Sequence, residues 1–190
     1  HCQLSTADGV KNFEQINGQG LLPVNKTVAL QALITAGFKL NQRDIAIALQ
    51  QVSLTGRHQQ LTYRGIEVIL DVAHNPAAAE VLAASLAPTR GRTIAVAAVL
   101  EDKDWAGIIT PMTDQVDDWI VGEISDSSRA RKGQSLLDLL YNAGQTGRLQ
   151  PSVEKAFELA VDNALATDRI LVFGSFHTVA AVLKIILAEV

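Results

Sequence analysis

Hydrophobic positions change their pattern twice along the chain. Residues 1–23 are weakly patterned, with turn signals at Asp8-Gly9 and Asn17-Gly18 around short stretches such as Phe13-Glu-Gln-Ile16, which predicts a small β-hairpin or sheet edge. From Asn25 the spacing becomes helical: Val28, Leu30, Ala32, Leu33 and Ala36 share a face, and Gly37 is a stop. Asn41 then opens a second helix with Ile45, Ala48, Leu49 and Val52 on one side. Ser53-Leu-Thr-Gly56 reads as a linker, dividing the chain into 1–55 and 56–190.

After Arg57 the pattern is regular. Gln60–Tyr63 and Ile66–Val72 form a hairpin through Arg64-Gly65, and Pro76 leads the helix Ala77–Leu86. The strands Thr93–Leu100, Trp119–Gly122, a short one near Arg148–Leu149, and Ile170–Phe173 follow. Between and after them lie the helices Trp105–Thr113, Gln134–Ala143, Ser152–Ala166 and Thr178–Ala188. Strand and helix alternate at βαβ spacing. The fold class is therefore α/β, a mostly parallel, doubly wound, Rossmann-like sheet with a leading β-hairpin, preceded by a partial helical and β tail of another domain.

Composition narrows the function classes. The 190 residues are 48% hydrophobic and 19% charged with a net charge of −4, which suits a packed core and gives no basic footprint for nucleic acid. No apolar run approaches the ~20 residues of a membrane span. One cysteine, Cys2, excludes an internal disulfide and points to a reducing, cytoplasmic setting. His1-Cys2-Gln3 carries neither an initiator methionine nor a signal-peptide pattern, so the chain is expected to be a piece of a longer one.

In a parallel sheet every strand-to-helix loop leaves the same edge, where ligands bind. Four polar clusters fall on such loops: Asp71 with His74-Asn75, Leu100-Glu-Asp-Lys-Asp104, Glu123-Ile-Ser-Asp-Ser-Ser-Arg-Ala-Arg-Lys132, and Gly174-Ser-Phe-His-Thr178. The opposite loops, Pro88–Arg92 and Thr167-Asp168, are expected to lack such convergence. Each cluster also has a plain structural explanation. Asp71 can cap a turn or accept ribose hydroxyls; His74 can be a satisfied surface histidine; Asn75 before Pro76 caps a helix; Ser175 and Thr178 suit an N-cap; the 125–132 loop is a mobile surface loop or a phosphate clamp. There is no G-x-x-x-x-G-K-[ST] loop, no G-x-G-x-x-G fingerprint, no zinc spacing and no G-x-S-x-G elbow. Residue chemistry alone thus reaches an α/β domain with a nucleotide-like or anionic rim site.

Five segments carry a family resemblance: Pro23-Val-Asn-Lys-Thr-Val-Ala-Leu-Gln-Ala32, Leu54-Thr-Gly-Arg57, Asp71-Val-Ala-His-Asn-Pro76, Leu100-Glu-Asp-Lys-Asp104 and Val172-Phe-Gly-Ser-Phe-His-Thr-Val-Ala180. Together they resemble the C-terminal part of folylpolyglutamate synthase, often bifunctional with dihydrofolate synthase, a relative of the Mur ligases. The resemblance implies an ATP-dependent carboxylate–amine ligase that joins L-glutamate to dihydropteroate or tetrahydrofolate through an acyl phosphate, with ATP and Mg as cofactors. By position it implies that Asn25 faces the adenine, Arg57 the phosphates and Asp71 the ribose. His74 and Ser175 would face the glutamate and γ-phosphate, with Asn75 and His177 as capping or supporting groups. Residues 1–55 would be the end of an ATP-binding central domain. The family's phosphate loop and magnesium ligands match nothing in these residues, so the chain alone is expected to be inactive. The full-length protein would be a monomer whose linker near Ser53–Gly56 acts as a hinge. A Mur-type cell-wall ligase, a receiver-like module phosphorylated on Asp71 and a non-catalytic nucleotide-binding module are the alternatives.

Overall fold

The computed structural model describes residues 2–6, 9–13, 23–125 and 127–189, so the expectation at Asn17-Gly18 lies outside it. The chain divides into two compact units, His1–Gln59 and Gln60–Val190. In the first, β1 (Cys2–Thr6) and β2 (Gly9–Phe13) pair antiparallel, and α1 (Pro23–Thr35) and α2 (Gln42–Gln51) follow. Leu4, Leu30, Ile45 and Leu49 make its core. Gly37, at φ +88°, ends α1 as a Schellman cap, with Gly37 N donating to Ile34 O and Phe38 N to Leu33 O. Asn41 caps α2 through Asp44 N at 2.9 Å.

Of the face expected for α1 only Leu30 is buried. Lys26 and Leu30 are buried, whereas Val28 and Leu33 are exposed and Ala32 and Ala36 are open with them. The helix is apolar on most sides, so period alone does not select a face, and a lysine's alkyl stem packs as well as a valine.

The second unit is a six-stranded sheet with helices on both sides. Its strands are β3 (Gln59–Tyr63), β4 (Ile66–Asp71), β5 (Thr93–Ala97), β6 (Asp118–Gly122), β7 (Gly147–Gln150) and β8 (Arg169–Phe173). They lie in the order β3-β4-β8-β5-β6-β7. From β4 to β7 all neighbours are parallel. The β3–β4 hairpin turns at Arg64 (φ 50°) and Gly65 (φ 82°), the two positive φ angles of a type I′ turn.

Five helices cover the sheet: α3 (Pro76–Ser85), α4 (Trp105–Ile109), α5 (Gly133–Asn142), α6 (Val153–Asn163) and α7 (Phe176–Ala188). The middle strands are buried throughout, and alternate residues feed opposite layers. Val68, Leu70, Val96 and Val172 pack with Phe157, Val182 and Ile186 of α6 and α7. Ile69, Ala95, Leu171 and Phe173 pack with Leu82, Ile108 and Leu136 of α3, α4 and α5. Trp105, Trp119 and Phe173 meet at ring centroids about 6 Å apart in that second layer.

The helix expected over Ser152–Ala166 ends at Asn163 and the one expected from Thr178 starts at Phe176, and two further boundaries differ for local reasons. The helix from Trp105 narrows to a 3-10 turn over Thr110–Met112, because Pro111 has no N–H to continue the α ladder. The strand from Thr93 stops at Ala97, and Leu100 instead bridges antiparallel to Ala130.

The opposite sheet edge also corrects the sequence expectation, because it does hold a convergent polar cluster. Asp168, 3% exposed, accepts from Arg92 N (2.8 Å), Arg92 Nη2 (3.0 Å) and Leu165 N (3.1 Å). Arg169 donates to Ala87 O and Thr93 Oγ1. These groups join the loops at the bottom of the sheet, with Arg169 Nε left buried without a hydrogen-bond partner among the described residues. Burial opposes ionisation of Asp168, but the two amides and the Arg92 guanidinium outweigh it and hold the carboxyl below its ordinary value. A depressed native pKa adds stability that is fully present above the unfolded carboxyl's ~3.9 and lost as pH falls through the native value. Asp168→Asn should therefore be less stable than the parent at pH 7, and urea midpoints should show that gap closing below about pH 4.

Candidate functional site

Strand β8, last in the chain, is inserted between β4 and β5. The connections after β4 and β5 turn toward α3 and α4, on one face, while the connection after β8 turns toward α7, on the other. Neighbouring loops that part in this way leave a crevice at the strand ends. The register sets its floor: Asp71 and Ala97 both pair with Phe173, so the three strands end level.

On the β4 lip, Asp71 is half-buried, and its Oδ1 accepts from Ala73 N at 2.8 Å, a two-residue turn that holds the carboxylate at the strand end. His74 Nδ1 lies 2.8 Å from Val72 O and donates to it, which leaves Nε2 as the nitrogen with acceptor character in the neutral ring. The imidazole stands 6.5 Å, centroid to centroid, from Phe176. Asn75 is the cap of α3, with Oδ1 accepting from Ala78 N at 2.9 Å and Pro76 following at the first helical position.

On the β8 lip, Ser175 caps α7 and is 4% exposed. Its Oγ accepts from Thr178 N (3.0 Å) and lies 2.7 Å from Thr178 Oγ1. Thr178 Oγ1 donates to Ala98 O at 2.7 Å, so the Ser175 hydroxyl is the donor between the pair. One relay thus ties the start of α7 to the end of β5. Gly174, at φ +116°, sits where a Cβ would meet Ala98 O at 2.4 Å. A glycine is required there on both counts.

The β5 lip is the 101–104 turn. Asp104 caps α4 through Gly107 N at 3.0 Å. A Cβ on Gly107 would meet Pro76 at 2.7 Å, which places α4 directly against the start of α3. The structure therefore brings together Asp71, His74, Ser175 and the 101–104 turn. Asn25 and Arg57 belong to the first unit; Asn25 is exposed in the first turn of α1, and Arg57 N donates to Leu54 O. His177 lies instead in an adjoining cleft of about 340 Å³ on the α6–α7 side, with Glu123, Ser125, Glu154, Phe176 and Lys184. No group of three or more His, Cys, Asp or Glu side chains that could hold a metal ion occurs among the described residues.

Two stretches that the sequence places on the rim take a form it did not specify. Phe176 shows only as an exposed aromatic, 59% accessible, after a capping serine, which was the one available signal. The 125–132 loop, for which a mobile surface loop is the simplest expectation, is tied down over residues 129–131: Glu101 N donates to Arg129 O, Arg131 N to Val99 O, and Arg131 Nη2 to two carbonyls of the 101–104 turn.

A family model for the Mur ligase, glutamate ligase domain matches residues 56–176. The chain is 38% identical over 164 residues to the dihydrofolate synthase/folylpolyglutamate synthase of Escherichia coli strain K12, covering 85% of this chain and 37% of that one. Escherichia coli FolC, solved in complex with DHPP and ADP, superposes with a TM-score of 0.84 at 35% identity, over 96% of this chain and 43% of that one. A bifunctional folylpolyglutamate synthase/dihydrofolate synthase with Mn, AMPPNP and L-glutamate bound gives 0.82 at 32% identity, over 94% and 42%. The chain thus spans about two fifths of the length of the relatives it matches.

Two stability outcomes follow from the lips. Gly174→Ala should destabilise the protein by about 3 kcal/mol in urea denaturation, from the left-handed backbone and the Ala98 carbonyl together. Ser175→Ala and Thr178→Val should each cost about 1–2 kcal/mol, and the double variant less than their sum by at least ~0.5 kcal/mol, because both act through one relay. Strict additivity in that cycle would show that the relay does not exist.

Proposed function

The chain belongs to the Mur ligase family, whose glutamate ligase domain it carries, and from that premise we propose that it is part of an ATP-dependent ligase joining L-glutamate to dihydropteroate or tetrahydrofolate. The observation that carries this reading is the crevice beside β8, where Asp71, His74 and the cap of α7 stand on neighbouring strand ends. Likeness to folate ligases solved with ADP, or with AMPPNP, Mn and L-glutamate, supports it.

ATP, when bound, supplies the phosphoryl group that turns the folate-side carboxylate into an acyl phosphate. The residues fit a nucleotide. Asp71 presents a fixed carboxylate at the β4 end, the arrangement that accepts ribose hydroxyls in sheets of this kind. His74, held by the Val72 carbonyl, offers Nε2 toward the reacting groups as an acceptor for the glutamate ammonium's proton. Ser175 acts by orienting α7, whose first-turn amides favour negative charge. The reading assigns the adenine to Asn25 and the phosphates to Arg57, whose planar fork suits them. Mg is assigned to parts of the longer protein outside these residues, and that protein is read as a cytoplasmic monomer.

The test uses the full-length protein. ADP release should require both L-glutamate and a folate substrate. His74→Ala should lower kcat/KM at least 10-fold, about 1.4 kcal/mol of transition-state stabilisation, and Asp71→Asn should raise the KM for ATP. The 190-residue chain by itself should release no glutamate-dependent ADP. Activity only with UDP-muramoyl substrates would replace this reading with the cell-wall alternative.

A further inference from the structure

The connection between β6 and α5 is bound to the β5–α4 turn more closely than a surface loop needs to be. Residues 129–131 run antiparallel to 99–101, with Leu100 bridging Ala130, Glu101 N donating to Arg129 O at 2.8 Å, and Arg131 N donating to Val99 O at 3.1 Å. Arg131 then reaches under the turn, and its Nη2 donates to Glu101 O (2.6 Å) and Lys103 O (3.0 Å). A single nitrogen therefore fixes the spacing of two main-chain carbonyls. Its Nε is buried with no hydrogen-bond partner among the described residues, so the described bonds of this guanidinium run through Nη2. Arg129 differs: it pairs with Asp102, which also pairs with Lys103, and both side chains of that bridge are about half exposed.

The turn held in this way is one lip of the crevice. It ends in Asp104, the cap of α4, whose Gly107 abuts Pro76 beyond His74. We infer that Arg131 is a positioning residue of the ligase reaction, latching the β5–α4 turn so that the β4 and β5 lips keep the spacing the substrates require. The inference rests on the ligase reading above and extends it to a group that lies on a different connection from the reacting residues. A bond to two carbonyls controls where a backbone stands, so its loss should act on turnover through geometry; Arg131→Lys keeps the positive charge and Arg131→Gln does not, which separates the two effects.

The experiment pairs two measurements. Amide hydrogen exchange on the 190-residue chain should show Glu101 and Arg131 exchanging at least 10-fold faster in Arg131→Ala, with Arg131→Lys in between because an ammonium can still reach a carbonyl. Arg129→Ala should change exchange less than about twofold. In the full-length enzyme Arg131→Ala should lower kcat about 10-fold or more with a smaller change in KM for ATP, Arg131→Lys should recover part of it, and Arg129→Ala should keep most of the activity. Faster exchange with unchanged kcat would make Arg131 merely structural, and reduced kcat with unchanged exchange would eliminate the latch; either overturns the inference. If Arg131→Ala does not fold, Arg131→Lys and Arg131→Gln carry the same comparison. A parent enzyme without folate-dependent ligation would remove the ligase reading and the role in that reaction with it, while the exchange contrast would still decide whether the latch exists.

Discussion

The carbonyl of Ala98 is the point on which the crevice depends. It accepts the Thr178 hydroxyl, it lies where any side chain at position 174 would have to pass, and the amide of the same residue donates to Phe173 O. Two strand ends, those of β5 and β8, and one helix start are therefore registered against the main chain of a single residue. A buried polar atom with one well-aligned partner gives orientation as well as energy, since moving either element leaves it unsatisfied. Asp71 and His74 stand on the far side of β8, at the end of β4, and the register of β4 with β8 sets their height on the sheet.

Around that point the chain uses two different kinds of polar edge. At the bottom, Asp168, Arg92, Arg169 and Thr93 close on one another, and the cluster serves packing. At the top, polar groups are held by backbone atoms beside them: Asp71 by the Ala73 amide, His74 by the Val72 carbonyl, and Asp104 by the Gly107 amide. These side chains are each fixed by a main-chain atom close in sequence rather than by closing on one another. That difference separates a seal from a site more reliably than the number of charged residues at either edge.

Most of the second unit was legible in the residues, because buried parallel strands read as short apolar runs and helices announce their caps. Asn75, Ser175 and Asn41 each cap the helix expected of them. The rim was legible as well, since it needs only the alternation of strand and helix. Three features were not. The packed face of α1 was hidden by its uniform apolarity. The knot at Asp168 joins residues distant in the chain whose types look ordinary one at a time. The hold of Arg131 on the 101–104 turn runs through main-chain carbonyls, which carry no signature in the sequence at all. The family motifs pointed to the correct family and to the rim, yet a motif does not say that the Ser175 hydroxyl is buried.

The place of β8 has a consequence for how the protein is made. The strand at the centre of the sheet is the last strand to be synthesised, and its neighbours β4 and β5 have by then been waiting through most of the domain. Until β8 arrives, those two strands have no common partner, and their apolar inner edges stay open. Pairings between residues so far apart in the chain are slow to form, because the loop between them must close before any contact stabilises it. The sheet and its crevice are thus completed in one late insertion, and a chain that stalls before residue 169 has neither.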